Sequence, residues 1–479
     1  MKRKIIALFV LIFSLGAFVA CDDGEATTTE QSIEDVVAGL NNPYNIGLFI
    51  TEEPKTSMGI NFEMPEETIA YVVYKAVSDE SYTSIKATDK TRLIDDKTHY
   101  LFEADLTGLE PGVTYEYFVR DEAKEHVGDT HRFTMPSDPD ESFTFMYLAD
   151  PQETSEVGYM AYGYHILYAT EEAGTDYDFV MFPGDVINEA HIATQWNLFY
   201  KYSSVFSYNT PLVATTGNHD GNGFDEERIN RLEFDGYMNL PGNGPTYESF
   251  DELEGDLRQS DFSDGKTFSF DYGNAHFTVV NSEMYCDGTT ACEGYDETNA
   301  AILNAWIERD LASHDKPWQI VLLHRGPYTL SYNNRTVRDN LVPILDEYGV
   351  DLLINGHDHH YSRAIYLGGD MIDFSRSDNY LRGDLSLIEE GELHFNHYSE
   401  DVGVTYLTGN TSGTKYYAGS RSSGIEVNYS YPGENPVIPF ITVTEDSIVV
   451  VSYVVLKESK FAIQAESVEI LETFEITKE

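Results

Sequence analysis

The stretch VDLLINGHDHH, residues 350–360, sets an apolar run, Leu352 to Ile354, directly before a polar block containing His357, His359 and His360. A strand with so little polar alternation is one covered on both faces, as in the sheets of layered α/β domains. The same layout recurs upstream. FTFMYLAD (143–150) ends at Asp150, DFVMFPGD (178–185) ends at Asp185, and PLVATTGNHD (211–220) carries Asn218 beyond its apolar part. WQIVLLH (318–324) ends at His324, and FTVVN (277–281) is a further apolar run. Between these runs, TNAAILNAWIERDLASH (298–314) repeats Ile302, Leu303, Trp306, Ile307 and Leu311 at helical spacing. TVRDNLVPILDEYG (336–349) predicts a second helix despite its internal Pro343. Strands and turns resume from about Tyr366 and end in ITVTEDSIVVVSYVV (441–455). The alternation predicts a layered α/β domain over residues 142–479, with a central mixed β-sheet core flanked by helices.

The preceding segment has a different rhythm. MGINF (58–62), AYVVY (70–74), HYLFEADL (99–106) and TYEYFV (114–119) are short alternating runs separated by turn residues, with no helical period between them. They predict a small antiparallel β-sandwich over residues 42–136. Within it, LTGLEPGVTYEYFV (106–119) resembles the fibronectin type III pattern, in which Leu109, Pro111 and Tyr115 would turn a corner into a late strand.

Residues 1–20, MKRKIIALFVLIFSLGAFVA, place three cations before an apolar run and small residues, the layout of a signal peptide. The run is short for a membrane-spanning helix, which needs about 20 apolar residues. Cys21 then resembles the lipid-carrying cysteine of bacterial lipoproteins, although Phe18 stands where that pattern has Leu. The expectation is an exported protein, at the cell surface or in the periplasm, tied to the membrane through Cys21 by a linker over residues 21–41. Cys286 and Cys292, with five residues between them, predict a local disulfide rather than a metal site.

Composition narrows the chemistry. The 479 residues hold 30 Lys plus Arg against 82 Asp plus Glu, a formal charge of −52. Such a surface repels nucleic-acid backbones, and no nucleic-acid partner is expected. One small phosphate substrate stays compatible with it, because bound metal ions reverse the field locally.

Five separate strand ends thus deliver Asp150, Asp185, Asn218, His324 and His357 toward one rim, where open α/β sheets place their ligand sites. Oxygen and imidazole donors without thiolate suit Fe, Zn, Mn or Mg. A carboxylate such as Asp185 can bridge two cations about 3.5–4 Å apart, the clamp used for phosphoryl displacement.

ADPQ (149–152), GDVIN (184–188), GNHD (217–220), VLLH (321–324) and GHDH (356–359), in that order, resemble the five blocks of the calcineurin-like metallophosphoesterase superfamily. HDHHYSR (357–363), HRGPY (324–328) and the preceding fibronectin-like domain are most similar to its purple acid phosphatase branch. The resemblance implies a dinuclear centre of divalent or trivalent ions. Asp150 and His359 would hold the first, Asp185 would bridge, and Asn218, His324 and His357 would complete the second. It further implies a metal-bound hydroxide attacking phosphorus, His219 as general acid or transition-state stabiliser, and Asp220 orienting His219. Arg325 and Arg363 flank the blocks and are candidates for binding substrate phosphate.

Two positions depart from the pattern. The purple branch has Tyr three residues after the bridging Asp, and this chain has Asn188, so a ferric tyrosinate centre is not expected. Gln152 stands where other branches have His; its amide oxygen could bind the first metal, or the residue could hydrogen-bond beside it. His165, His191, His276 and His314 fit no block, and His360 fits packing better than ligation. The function so implied is metal-dependent hydrolysis of phosphate esters, mono- or diester, by an acid phosphatase-like enzyme or phosphodiesterase. The alternatives are a nuclease of the same superfamily, disfavoured by the charge, and a catalytically relic surface adhesion lipoprotein, disfavoured because no core donor is missing.

Overall fold

A computed structural model of the chain describes residues 32–137, 142–220, 232–245, 266–286, 297–372, 396–397, 403–417 and 422–478. The segments read as signal peptide and lipid-bearing Cys21, and Cys292, lie outside these residues. Cys286 is buried and disulfide-bonded at the end of the 3-10 turn Ser282–Tyr285. Among the described residues no helix is long and apolar enough to cross a membrane.

The α/β part resolves into two stacked sheets. In the first, Phe143–Tyr147, Phe179–Phe182 and Leu212–Ala214 run parallel, and Val437–Val443, Ser447–Leu456 and Ser467–Thr477 extend it antiparallel from Phe143–Tyr147. In the second, Ala275–Val280, Trp318–Leu323, Leu352–Asn355 and Val404–Thr408 run parallel, with Phe268–Tyr272 and Tyr361–Leu367 antiparallel at the two sides.

Side chains alternate across each strand, which explains the unbroken apolar runs. Phe145 and Tyr147 point between the sheets and pack with Phe277, Ile320 and Ile354 of the other sheet. Met146 and Leu148 point outward to Tyr162 and Phe199, on the helices Glu156–Ala173 and Ala193–Ser203. The second sheet turns Val321, Leu323 and Leu353 outward against Ile307 and Leu341, on Glu297–Ser313 and Arg335–Tyr348. Both faces of both sheets are therefore dry, and the order of layers is helix, sheet, sheet, helix.

The N-terminal region is a sandwich, but one of its sheets is shared. Ala70–Ala76, Thr83–Lys86, Thr114–Asp121 and His131–Thr134 form a separate four-stranded sheet. It packs Val72, Tyr117 and Val119 against Leu48, Ile60, Phe62 and Phe102 of the opposing strands. Those strands, Gly47–Phe49, Ser57–Met64 and Lys97–Thr107, continue the first α/β sheet through the parallel pair Phe49 with Leu212, giving twelve strands in one sheet. At the Leu-x-Pro-x-x-x-Tyr corner, the Glu110 N–H donates to the Tyr115 hydroxyl at 2.9 Å.

Candidate metal centre

All the parallel strands of both sheets discharge at one rim. Asp150, Asp185 and Asn218 follow strands of the first sheet; His324, His357 and His359 follow strands of the second. The loops are joined across the rim by a bridge between Ala149 and Thr411. Backbone shape sharpens the convergence. Asp150, Asp185, His357 and His359 all adopt positive φ, at 44°, 51°, 68° and 50°. Left-handed conformations at non-glycine residues cost free energy and collect at functional sites.

Two glycines of the motifs make room for these carboxylates. A Cβ at Gly217 would overlap Asp185 Oδ1, and one at Gly356 would come to 2.5 Å of Asp150 Oδ2. The Gly-Asn and Gly-His pairs are thus steric requirements of the neighbouring acids rather than flexible spacers.

The donors form two overlapping groups, Asp150 with Asp185 and His359, and Asp185 with His324 and His357; within each, the donor atoms lie within 4.8 Å of one another. Asn218 joins the second group, its Oδ1 3.1 Å from His324 Nε2. Asp185 belongs to both. All of these side chains are buried. Hard oxygen and imidazole donors in two groups sharing one carboxylate fit two adjacent cations. The outer nitrogens of two histidines are fixed by carbonyls, His324 Nδ1 by Pro183 at 3.0 Å and His359 Nδ1 by Lys415, so that each turns Nε2 inward.

The electrostatics are those of a cage of opposed charges. Burial, with the nearby Asp185 charge adding to it, pushes the Asp150 carboxyl up to about 8. Burial, the largest single influence, would also raise Asp185, but His324 and His219, through charge and hydrogen bonds together, outweigh it and hold the carboxyl well below the usual range. His324 rises to about 9, because Asp185 overcomes the opposing effect of burial. Burial lowers His359 to about 3, and burial together with the Arg325 charge holds His357 well below its usual value.

Several expected residues sit elsewhere than the sequence suggested. Gln152 directs its amide nitrogen, not its oxygen, at the cage: Nε2 donates to Asp185 Oδ2 at 2.8 Å and lies 3.2 Å from His359 Nε2, while Oε1 accepts from Lys415. An amide nitrogen is no ligand for a cation, so this arrangement favours the hydrogen-bonding reading of Gln152 over metal binding. Asp220 does not orient His219. Its carboxylate accepts from the N–H groups of Gly217 and Ile187, at 2.9 and 3.2 Å, tying two motif loops together. His219 instead places Nδ1 2.8 Å from the Asn188 carbonyl.

Neither arginine is available to substrate. Arg325 is buried and paired with Glu283 at 2.7 Å, and its NH1 lies 3.0 Å from His357 Nε2. Arg363 is buried on Tyr361–Leu367 and donates twice to Glu472 Oε1, at 3.0 and 2.8 Å. A buried guanidinium needs a carboxylate, and each of these had one supplied by a distant part of the chain. His360 bonds Ser331 Oγ at 2.9 Å, while His165 meets the Ala462 carbonyl at 3.0 Å and His276 pairs with Asp310 at 3.0 Å. None of these three belongs to the cage.

Lys415 was missed. It follows Val404–Thr408, the next parallel strand of the second sheet, and brings its ammonium group to Gln152, His219 and Asn188. Its signal was present: VTYLTGNTSGTK (404–415) repeats the layout of an apolar run followed by a polar block. Tyr417 and Tyr332 were also invisible to motif reading. Tyr417 stacks on His359 at a ring separation of 4.3 Å and Tyr332 lies tilted against His357 at 4.4 Å, so that both flank the cage.

Residues 126–361 match the calcineurin-like phosphoesterase family, so the chain carries a calcineurin-like phosphoesterase domain. Residues 43–135 match the N-terminal domain of purple acid phosphatases, which places it nearer that branch. Purple acid phosphatase 15 of Arabidopsis thaliana is 23% identical over 288 residues, covering 54% of this chain and 48% of that protein. An acid phosphatase of Aspergillus ficuum is 24% identical over 237 residues, covering 37% of each. The matched stretch thus spans about half or less of the length of these curated relatives. A purple acid phosphatase from yellow lupin (Lupinus luteus) seeds shares the fold, with a TM-score of 0.66 at 15% identity, covering 91% of this chain and 75% of that one.

Proposed function

We propose that the protein is a phosphate-ester hydrolase acting through two metal ions held by Asp150, Asp185, Asn218, His324, His357 and His359. One observation carries the reading: Asp185 is common to both donor groups, as a bridging carboxylate must be. Bound there, the cations would supply Lewis acidity toward the phosphoryl oxygens and the attacking water.

The chain's own residues do the rest. His219 stands at the mouth of the cage, half-buried, with its backbone N–H on Asp185 Oδ1 at 2.7 Å and Nδ1 on the Asn188 carbonyl. Nε2 faces Lys415 Nζ at 3.2 Å; with the ammonium group drawn onto a bound phosphate, Nε2 would be free to carry a proton to the leaving oxygen. Asp220 keeps the GDVIN and GNHD loops in register, so that Asp185 and Asn218 hold their relative positions. Arg325 braces the His357 ring from behind. The unbroken set of core donors supports a working centre rather than a relic, and the charge of −52 disfavours a nuclease. Export through residues 1–20 and anchoring at Cys21 complete the proposal, on the layout of the N-terminal sequence.

The test is a panel of aryl phosphomonoesters, phosphodiesters and nucleotides assayed after reconstitution with Fe, Zn, Mn or Mg singly and in pairs. Metal-dependent turnover of at least one ester supports the reading. Absence of turnover with every metal, in protein shown by metal analysis to bind two ions, overturns it.

A further inference from the structure

Among the described residues, the hydrogen-bond acceptors of Lys415 are neutral groups. Its Nζ donates to Gln152 Oε1 and lies 3.2 Å from His219 Nε2 and 3.5 Å from Asn188 Oδ1. Among the described residues no carboxylate forms an ion pair with it. The Asp185, Asp150 and Glu153 carboxylates lie near enough to act on its charge; once cations neutralise the two aspartates, this half-buried ammonium group is left to favour a bound anion. Its position is rigid. Thr411 Oγ1 donates to the Asp150 carbonyl at 2.6 Å, the Ser412 N–H donates to the Ala149 carbonyl at 2.7 Å, and Glu153 accepts from the Thr414 N–H. These bonds lash the loop carrying Lys415 to the loop carrying Asp150, so the charge is preorganised beside the donors.

The second consideration is the form of the substrate. A phosphomonoester offers three terminal oxygens and two negative charges, whereas a diester offers two oxygens and one charge. If two cations in the cage take two oxygens, only a monoester has a third to present to Lys415. Two divalent cations facing the carboxylates of Asp150 and Asp185 also leave excess positive charge, which Lys415 increases. A dianion matches that excess better than a monoanion.

Resting on the phosphoesterase reading, we propose that Lys415 is a substrate-binding residue that takes the third terminal oxygen of a phosphate dianion and makes the centre selective for monoesters over diesters. Asn188 and Gln152 hold the ammonium group in place. Asn188 thereby acquires a role at the position where the purple branch has its metal-binding tyrosine.

The experiment compares full-length wild type with Lys415→Met and Lys415→Arg after metal loading, with metal content and thermal unfolding measured on each. Inorganic phosphate and dimethyl phosphate are titrated calorimetrically, and 4-nitrophenyl phosphate and bis(4-nitrophenyl) phosphate are assayed. Loss of a charge-assisted hydrogen bond predicts about 10- to 100-fold weaker inorganic phosphate binding by Lys415→Met. Its kcat/KM for the monoester falls by a similar factor, the diester changes by less than about 3-fold, and Lys415→Arg recovers part of the loss. Equal phosphate affinity in wild type and Lys415→Met, or equal losses on both esters, overturns the proposal. Failure of the wild type to hydrolyse either ester would sink the hydrolase reading instead, and the phosphate titration would still decide the role of Lys415.

Discussion

Asp185 Oδ2 lies 3.2 Å from His324 Nε2, although the two residues follow strands of different sheets. The contact joins the two halves of the cage. Replacing Asp185 with Asn removes the charge common to both donor groups. Metal content measured on the purified variant should fall from two ions toward one or none, and aryl phosphate hydrolysis should disappear while circular dichroism stays that of wild type. Near-normal turnover would refute the bridging assignment.

His219 touches the cage through its backbone, and its ring is held by the Asn188 carbonyl. His219→Ala should therefore retain both metal ions and lose activity by roughly 10²- to 10⁴-fold, the usual range for a general acid. Esters with better leaving groups should lose less, since they need less protonation. Loss of metal from this variant would mark His219 as a ligand.

Arg363 and Glu472 form a buried pair that Tyr361 completes by donating to Glu472 Oε2 at 2.8 Å. Glu472→Ala strands the guanidinium, with an expected cost of about 3–5 kcal/mol in a denaturant melt. Arg363→Met should also lower stability, yet leave KM for a phosphomonoester unchanged. A raised KM in a folded Arg363→Met protein would return this residue to the substrate site.

His276 offers a pH-dependent contribution remote from the metal cage. Burial, the largest influence, favours its neutral ring, but hydrogen bonds to Asp271 at 2.8 Å and Asp310 at 3.0 Å prevail and raise it to about 9. The folded state thus binds the proton more tightly than the unfolded chain, whose histidine titrates near about 6.5. The stabilisation is full below that pH and is lost as pH rises through about 9. Denaturant midpoints recorded from pH 6 to pH 10 should decline more steeply for wild type than for His276→Gln; parallel curves would contradict it.

Asn188 gives its carbonyl to His219 and its amide oxygen to the neighbourhood of Lys415. Tyr417, stacked on His359, has its hydroxyl pKa raised by burial and by Tyr332. Protein reconstituted with ferric iron should accordingly show no tyrosinate charge-transfer band in its visible spectrum. A purple product would identify another tyrosine as a ligand, with Tyr417 the first to substitute.

Much of this was legible along the chain because it depends on local periodicity. Apolar runs such as Met146 to Leu148 and Leu352 to Ile354 had to be doubly covered strands. The polar residues just past their ends, Asp150 and His357 among them, then had to share a rim, because parallel strands all finish on one side. What no local pattern carried was the pairing of groups far apart in sequence. Two stacked sheets, rather than one, followed from which faces met. The capture of Arg363 by Glu472, the turning of Gln152 toward Lys415 and the bond from the Ile187 N–H to Asp220 were decided by proximity across more than 30 residues in each case. Charge and hydrogen-bond partners are chosen by distance in space, and burial makes that choice obligatory.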